Sequence, residues 1–232
     1  KLNAARNCID RHVEAGDGAR TALVFAAADG RIETFTHADL LDRTTRFANV
    51  LKSRGVTAGD RVILYLPMIP ELPIAILACA RIGALHAVVF AGFSSRALRA
   101  RLDAWRARVI VTSESGWRGA PRPGLKGEVD AALAGGSGVD TVVVVADRRP
   151  QADRGPHSDG RPQPGASRLT AGRDLWWHEA VEAPGMDAPC PCESLAATAP
   201  LFILSTSGSA GAPKGVVHAV GGYLLYAAET FR

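Results

Sequence analysis

One stretch carries most of the chemical potential of this chain: Ser205-Thr206-Ser207-Gly208-Ser209-Ala210-Gly211-Ala212-Pro213-Lys214-Gly215, directly after the apolar run Leu201 to Leu204. Glycines let a backbone bend until several N–H groups converge on an anion, hydroxyls add donors and a lysine adds a point charge, so these residue types together suit phosphate. The same composition also suits a solvated turn. A Walker A loop is excluded, because Lys214 is followed by Gly215 where serine or threonine must hold magnesium. No G-x-G-x-x-G follows a strand-like run, which excludes the dinucleotide fingerprint.

Other reactive residue types read as structural. Trp176 and Trp177 are expected on a short helix as packing residues, with His178 an exposed or capping neighbour. His12 falls in an amino-terminal helix and His86 ahead of a strand, where a hydrogen-bonded histidine is expected. His218, three residues past Gly215, is placed to position the loop rather than to move protons. Cys8, Cys79, Cys190 and Cys192 form no C-x-x-C pairs at zinc spacing, so they read as free thiols in a reducing cytoplasm, and no metal site is expected.

The elements that must carry the loop follow from pattern. Ala22 to Ala28 and Ile32 to Phe35 flank Ala-Asp-Gly as a hairpin, and Thr36 then offers an N-cap to a helix with Leu40, Phe47 and Leu51 on one face, ended by Gly55. Arg61 to Leu66 and Leu85 to Phe90 are apolar strands around a helix from Pro70 to Ile82 that Gly83 closes. Ser94 caps a helix of alternating Arg and Leu up to about Trp105; Arg108 to Thr112 and Thr141 to Ala146 are further β-branched strands. Alternating strands and helices predict an α/β fold with parallel pairing, right-handed crossovers and ligands at the carboxyl ends of the strands. Leu201 to Leu204 is the strand that delivers the loop to that edge. The stretch from 147 to 173, rich in Pro, Gly, Arg and Asp, reads as a mobile surface excursion inside a single domain.

Composition sets the outer bounds. The 232 residues are 47% hydrophobic and 22% charged, enough for one sizeable core. The longest apolar run, Ile74 to Ala80, is too short to span a bilayer, and the start shows no signal-peptide pattern. A net charge of +4 comes from scattered arginines with no basic stripe interleaved by aromatics, which argues against nucleic acid and leaves small acidic ligands.

With those residues in view, the loop resembles the T-S-G-[ST]-T-G-x-P-K-G signature of the AMP-forming acyl-CoA synthetases, members of the adenylate-forming superfamily. Thr206, Ser207, Gly208, Ser209, Gly211, Pro213, Lys214 and Gly215 match it, and Ala210 stands where threonine is usual. The acetyl-CoA synthetase branch is resembled at Asn7 to His12, Arg46 to Gly55, Gly59 to Pro70, Leu77 to Gly83, Val88 to Ser94, Gly172 to Glu179 and His218 to Ala228. Propionyl-CoA synthetases share much of the first half and usually differ after the loop.

The resemblance implies part of the large amino-terminal, AMP-binding domain of that fold, with the carboxyl-terminal domain absent. It implies activation of acetate with ATP to acetyl-AMP and pyrophosphate, then transfer to CoA, in the full-length enzyme. Another short-chain acyl-CoA synthetase or a noncatalytic nucleotide-binding remnant is the alternative. Thr206, Ser207, Gly208, Ser209, Gly211, Lys214 and Gly215 would then hold the ATP phosphates, with Lys214 the catalytic cation. Arg118, Gly119, Ala120, Pro121 and Arg122 fall where the family binds the phosphorylated adenosine of CoA. Arg118 takes the first arginine position, and Pro121 takes the second with Arg122 next to it. Mg2+ is implied, its ligands lying outside these residues, as do the acyl pocket and the second catalytic lysine. This stretch alone is therefore expected not to complete the reaction.

Overall fold

The computed structural model describes residues 1–27, 29–116, 124–147, 168–206 and 214–231. A helical turn, Arg6–Asp10, runs into α1 (Arg11–Glu14), followed by a two-stranded antiparallel hairpin of β1 (Thr21–Ala26) and β2 (Ile32–Thr36). Its turn closes on Gly30, whose φ of 87° explains the glycine. Helix α2 (His37–Ser53) starts where predicted: the Thr36 hydroxyl accepts from the Asp39 N–H, and the Asp39 carboxylate accepts from the Thr36 N–H in return.

The remaining elements form β3 (Arg61–Tyr65), α3 (Glu71–Arg81), β4 (Leu85–Val88), α4 (Ser95–Trp105), β5 (Val109–Ser113), α5 (Leu125–Leu133), β6 (Thr141–Val145), β7 (Asp174–Trp176), α6 (Trp177–Glu182), β8 (Pro200–Thr206), β9 (Lys214–Ala219) and α7 (Val220–Thr230). Seven strands make one sheet in the order β7-β6-β5-β3-β4-β8-β9, parallel throughout except for the antiparallel pair β8–β9. Successive residues of the central strands face opposite layers. Val62, Leu64, Val109 and Val111 pack under α2 and α3, whereas Ile63, Tyr65 and Ile110 pack under α4 and α5. Burial on both faces is why these strands read as continuous apolar runs.

Chain direction reverses at the centre of this sheet. The β3–α3–β4 unit moves one way, and the next crossover, through α4 on the other face, returns past β3 to place β5 on its far side. The crevice beyond the carboxyl ends of β3 and β5 is therefore a topological switch point, where α/β sheets bind ligands.

Two local expectations change. Trp176 lies in β7, paired beside β6, and only Trp177 enters the helix, stacked on Phe47 at 3.9 Å between ring centroids. Its strand is three residues long and takes its register from β6, so no periodicity marked it. His86 lies inside β4, not ahead of it, and its buried Nδ1 has no hydrogen-bond partner among the described residues. Of the 147–173 excursion, residues 148–167 lie outside the described residues, but its flanks are tied down. The Asp174 side chain is fully buried and bonded by Lys126 and Arg173, and Leu169 packs on the core.

Candidate functional site

The site is built from the carboxyl edge of the sheet. Strand β8 enters beside β4 and ends at Thr206, and β9 returns beside it from Lys214, so Thr206 and Lys214 face each other as the last pair of an antiparallel ladder. Next to them Ser205 pairs with Gly215. The stretch whose residue types suit phosphate therefore connects two exposed, paired strand ends, one bearing a hydroxyl and one an ammonium. Of the sequence-predicted ATP residues, Thr206, Lys214 and Gly215 are brought together; Ser207, Gly208, Ser209 and Gly211 lie outside the described residues. The predicted delivery strand is seven residues long rather than four because β9, which the sequence reading left unassigned, extends its pairing.

The base of the hairpin is an aromatic ladder. His86 of β4, Phe202 of β8 and His218 of β9 share one register across three strands. Their rings stack, with centroids 5.5 Å apart for His86–Phe202 and 4.5 Å for Phe202–His218, and Tyr223 of α7 meets Phe202 edge-on. His218 thus packs the stem of the loop. Burial pulls His86 down to about 4, so its ring stays neutral near pH 7.

Beside the hairpin, the switch point opens into a cavity of about 620 Å³. Its walls come from the turn after β3 (Leu66 to Ile69), the segment after β4 (Val88 to Gly92), the ends of β5 and β6, and Phe25, Ala26, Ala27 and Arg31 of the β1–β2 hairpin. The lining is mostly apolar, with Ser113, Ser115, Asp147 and Arg31 as its polar points. The chain segments leaving β5 and β6 are stitched there. The Ser115 hydroxyl donates to Asp147 Oδ2 at 2.9 Å, and the Asp147 N–H donates to Glu114 Oε2 at 2.8 Å. Tyr65 on the neighbouring strand donates its hydroxyl to the Phe93 carbonyl at 2.6 Å, and burial pushes that phenol up to about 12. Such a cavity fits a ligand with an apolar body and polar ends.

Residues Arg118, Gly119, Ala120, Pro121 and Arg122, predicted for CoA, lie outside the described residues. The chain that leads to them, Ser115-Gly116, lines this cavity, and Gly124 begins α5 after them. Val88 to Gly92 and the β1–β2 hairpin were read in sequence as a stretch of family resemblance and as a hairpin, but not as the walls of a cavity. For Val88 to Gly92 the signal is positional, since the segment follows β4 at the edge where parallel sheets bind; the hairpin, a separate antiparallel pair, carries no such signal. Among the described residues no group of three or more His, Cys, Asp or Glu side chains could hold a metal ion, and no helix is long and apolar enough to cross a membrane.

Comparison with known proteins agrees with this fold. Residues 9–232 match the family described as AMP-binding enzyme. An acetyl-coenzyme A synthetase of Bradyrhizobium diazoefficiens is 47% identical over 230 residues, 99% of this chain and 33% of that protein. One from Paraburkholderia phymatum is 48% identical over 233 residues, 100% of this chain and 33% of its own length. The crystal structure of a Brucella canis acyl-CoA synthetase superimposes with a TM-score of 0.75 at 26% identity, covering 99% of this chain and 35% of that one. The chain thus spans about a third of the length of these relatives.

Proposed function

Because the chain belongs to the AMP-binding enzyme family, we propose that it forms the phosphate-holding portion of an acid–thiol ligase that activates acetate with ATP and passes the acetyl group to CoA. In the first half-reaction a carboxylate oxygen attacks the α-phosphorus and pyrophosphate leaves; in the second, the CoA thiol displaces AMP. The observation that carries this reading is the β8–β9 hairpin, which presents Thr206 and Lys214 as paired strand ends flanking the glycine- and serine-rich loop at the ligand edge of the sheet.

Charge develops on the departing pyrophosphate, and the group suited to meet it is Lys214 with the N–H groups beside it, since fixed donors aimed at developing charge lower a barrier without reorganising. No covalent nucleophile on the protein is needed. Magnesium, when bound, offsets charge on the same phosphates. The cavity at the switch point supports a place for CoA. Its apolar walls suit the pantetheine arm, and the chain at its mouth runs directly into Arg118 and Arg122, whose guanidinium groups suit phosphate.

The test is Lys214→Ala in a full-length synthetase containing this segment. Acetate-dependent exchange of pyrophosphate into ATP should slow by about 100-fold or more, the usual effect of removing one such donor. An unchanged exchange rate would refute the role.

A further inference from the structure

The loop stem leans on a residue that neither the signature nor the sheet explains. Trp105, the last residue of α4, is only 8% exposed, and its indole N–H has no acceptor among the described residues. That N–H edge faces Gly215: a Cβ built on Gly215 would lie 2.7 Å from Trp105 Nε1 and 2.9 Å from Ile203 Cγ2, closer than real Cβ atoms come. Gly215 does not need its glycine for a positive φ. It needs it for room.

Trp105 cannot yield that room, because the end of its helix is fastened. Arg61 of β3 donates from Nε to the Trp105 carbonyl at 2.9 Å and from Nη2 to the Arg106 carbonyl at 3.1 Å, and its Nη1 bonds the Gly59 carbonyl at 3.2 Å. Arg106 closes the helix in the left-handed conformation, φ 50°, so the chain turns sharply just after the indole. Burying an N–H without an acceptor is a costly way to fill a core, and phenylalanine would fill most of the space without that cost. What the indole adds is reach, up to the backbone of the stem.

We propose that Trp105 is a positioning residue for the phosphate loop: it is the fixed wall against which Gly215 seats, and it thereby sets where Lys214 leaves the sheet. This rests on the reading of the loop as an ATP site, and the experiment separates the two. Amide hydrogen exchange of the 203–217 segment and Mg-ATP affinity are measured on the full-length protein as wild type, W105F, W105A, G215A and K214A. W105A, which leaves a cavity behind Gly215, and G215A, which pushes the stem off the indole, should each speed exchange at Lys214 to Val217 and weaken Mg-ATP by about tenfold. CoA affinity should stay unchanged, and W105F should recover both readouts to within about twofold, since the N–H it loses has no partner among the described residues.

Exchange in W105A that matches wild type overturns the coupling. So does faster exchange across the whole sheet with weakened CoA binding, which marks general packing. K214A that binds Mg-ATP like wild type, while W105A still speeds exchange in the stem, supports the coupling and overturns the assignment of the loop to ATP.

Discussion

Arg81 shows how far a single side chain can bind distant parts of this chain. Its guanidinium, 6% exposed, donates to both carboxylate oxygens of Asp10 at 2.8 and 2.9 Å and to the Cys190 carbonyl, joining the amino-terminal helix, α3 and the segment before β8. Arg81→Met leaves Asp10 beside an apolar stem, and removing one partner of such a pair should cost about 3–5 kcal/mol in urea unfolding. Beside it, burial pushes the Cys192 thiol up to about 11 despite the nearby guanidinium, so Cys192 stays a thiol at neutral pH. His86 makes a pH prediction. The folded protein keeps it neutral down to about pH 4, whereas the unfolded chain takes up a proton near 6.5. Unfolding therefore binds a proton in this window, and stability falls as pH drops from 6.5 towards 4. At pH 5 the loss should be about 2 kcal/mol relative to pH 7.5, and His86→Phe should remove that slope in paired urea titrations.

Elements that announce their own boundaries were legible. Thr36, Ser94, Gly55 and Gly83 marked helix ends because capping is local chemistry: Ser94 accepts from the Ala97 N–H at 3.4 Å, and Gly55 and Gly83 take φ of 75° and 71°. Thr36→Ala should lower stability by about 1 kcal/mol in thermal or urea unfolding, Thr36→Ser by much less. Elements that depend on partners were not legible. Strand β7 exists because Val142, Val143 and Val144 offer it a ladder and because Lys126, 2% exposed, meets Asp174 at 2.9 Å. Lys126→Met should free β7 selectively, read as faster amide exchange at Asp174 to Trp176 than in β5. The candidate site divides the same way. Lys214 and Thr206 were readable as residue types, but their pairing across β8–β9 is a tertiary fact, and so is the wall that Trp105 gives Gly215.

For the whole molecule, burial is uneven along the sheet. Strands β3, β5 and β6 are buried on both faces, while exposed large apolar side chains gather on β9 and α7: Val216, Val217, Tyr223, Leu225 and Tyr226. Amide exchange should rank accordingly, slowest in Val62 to Leu64, Ile110 and Val143, and at least about 100-fold faster in β9 and α7, since local opening follows buried contact. A uniform rate across the seven strands would contradict this gradient. The Thr206–Lys214 pair has one more consequence. It holds Thr206 and Lys214, the residues on either side of the loop, on neighbouring strands before any ligand arrives, so the entropy of bringing the two ends of the loop together is already lost on folding. Because closure entropy grows only with the logarithm of length, doubling the loop would cost only about 0.6 kcal/mol. Swapping in longer loops at this position should therefore be a practical route to altered anion recognition, provided the two strand ends keep their register.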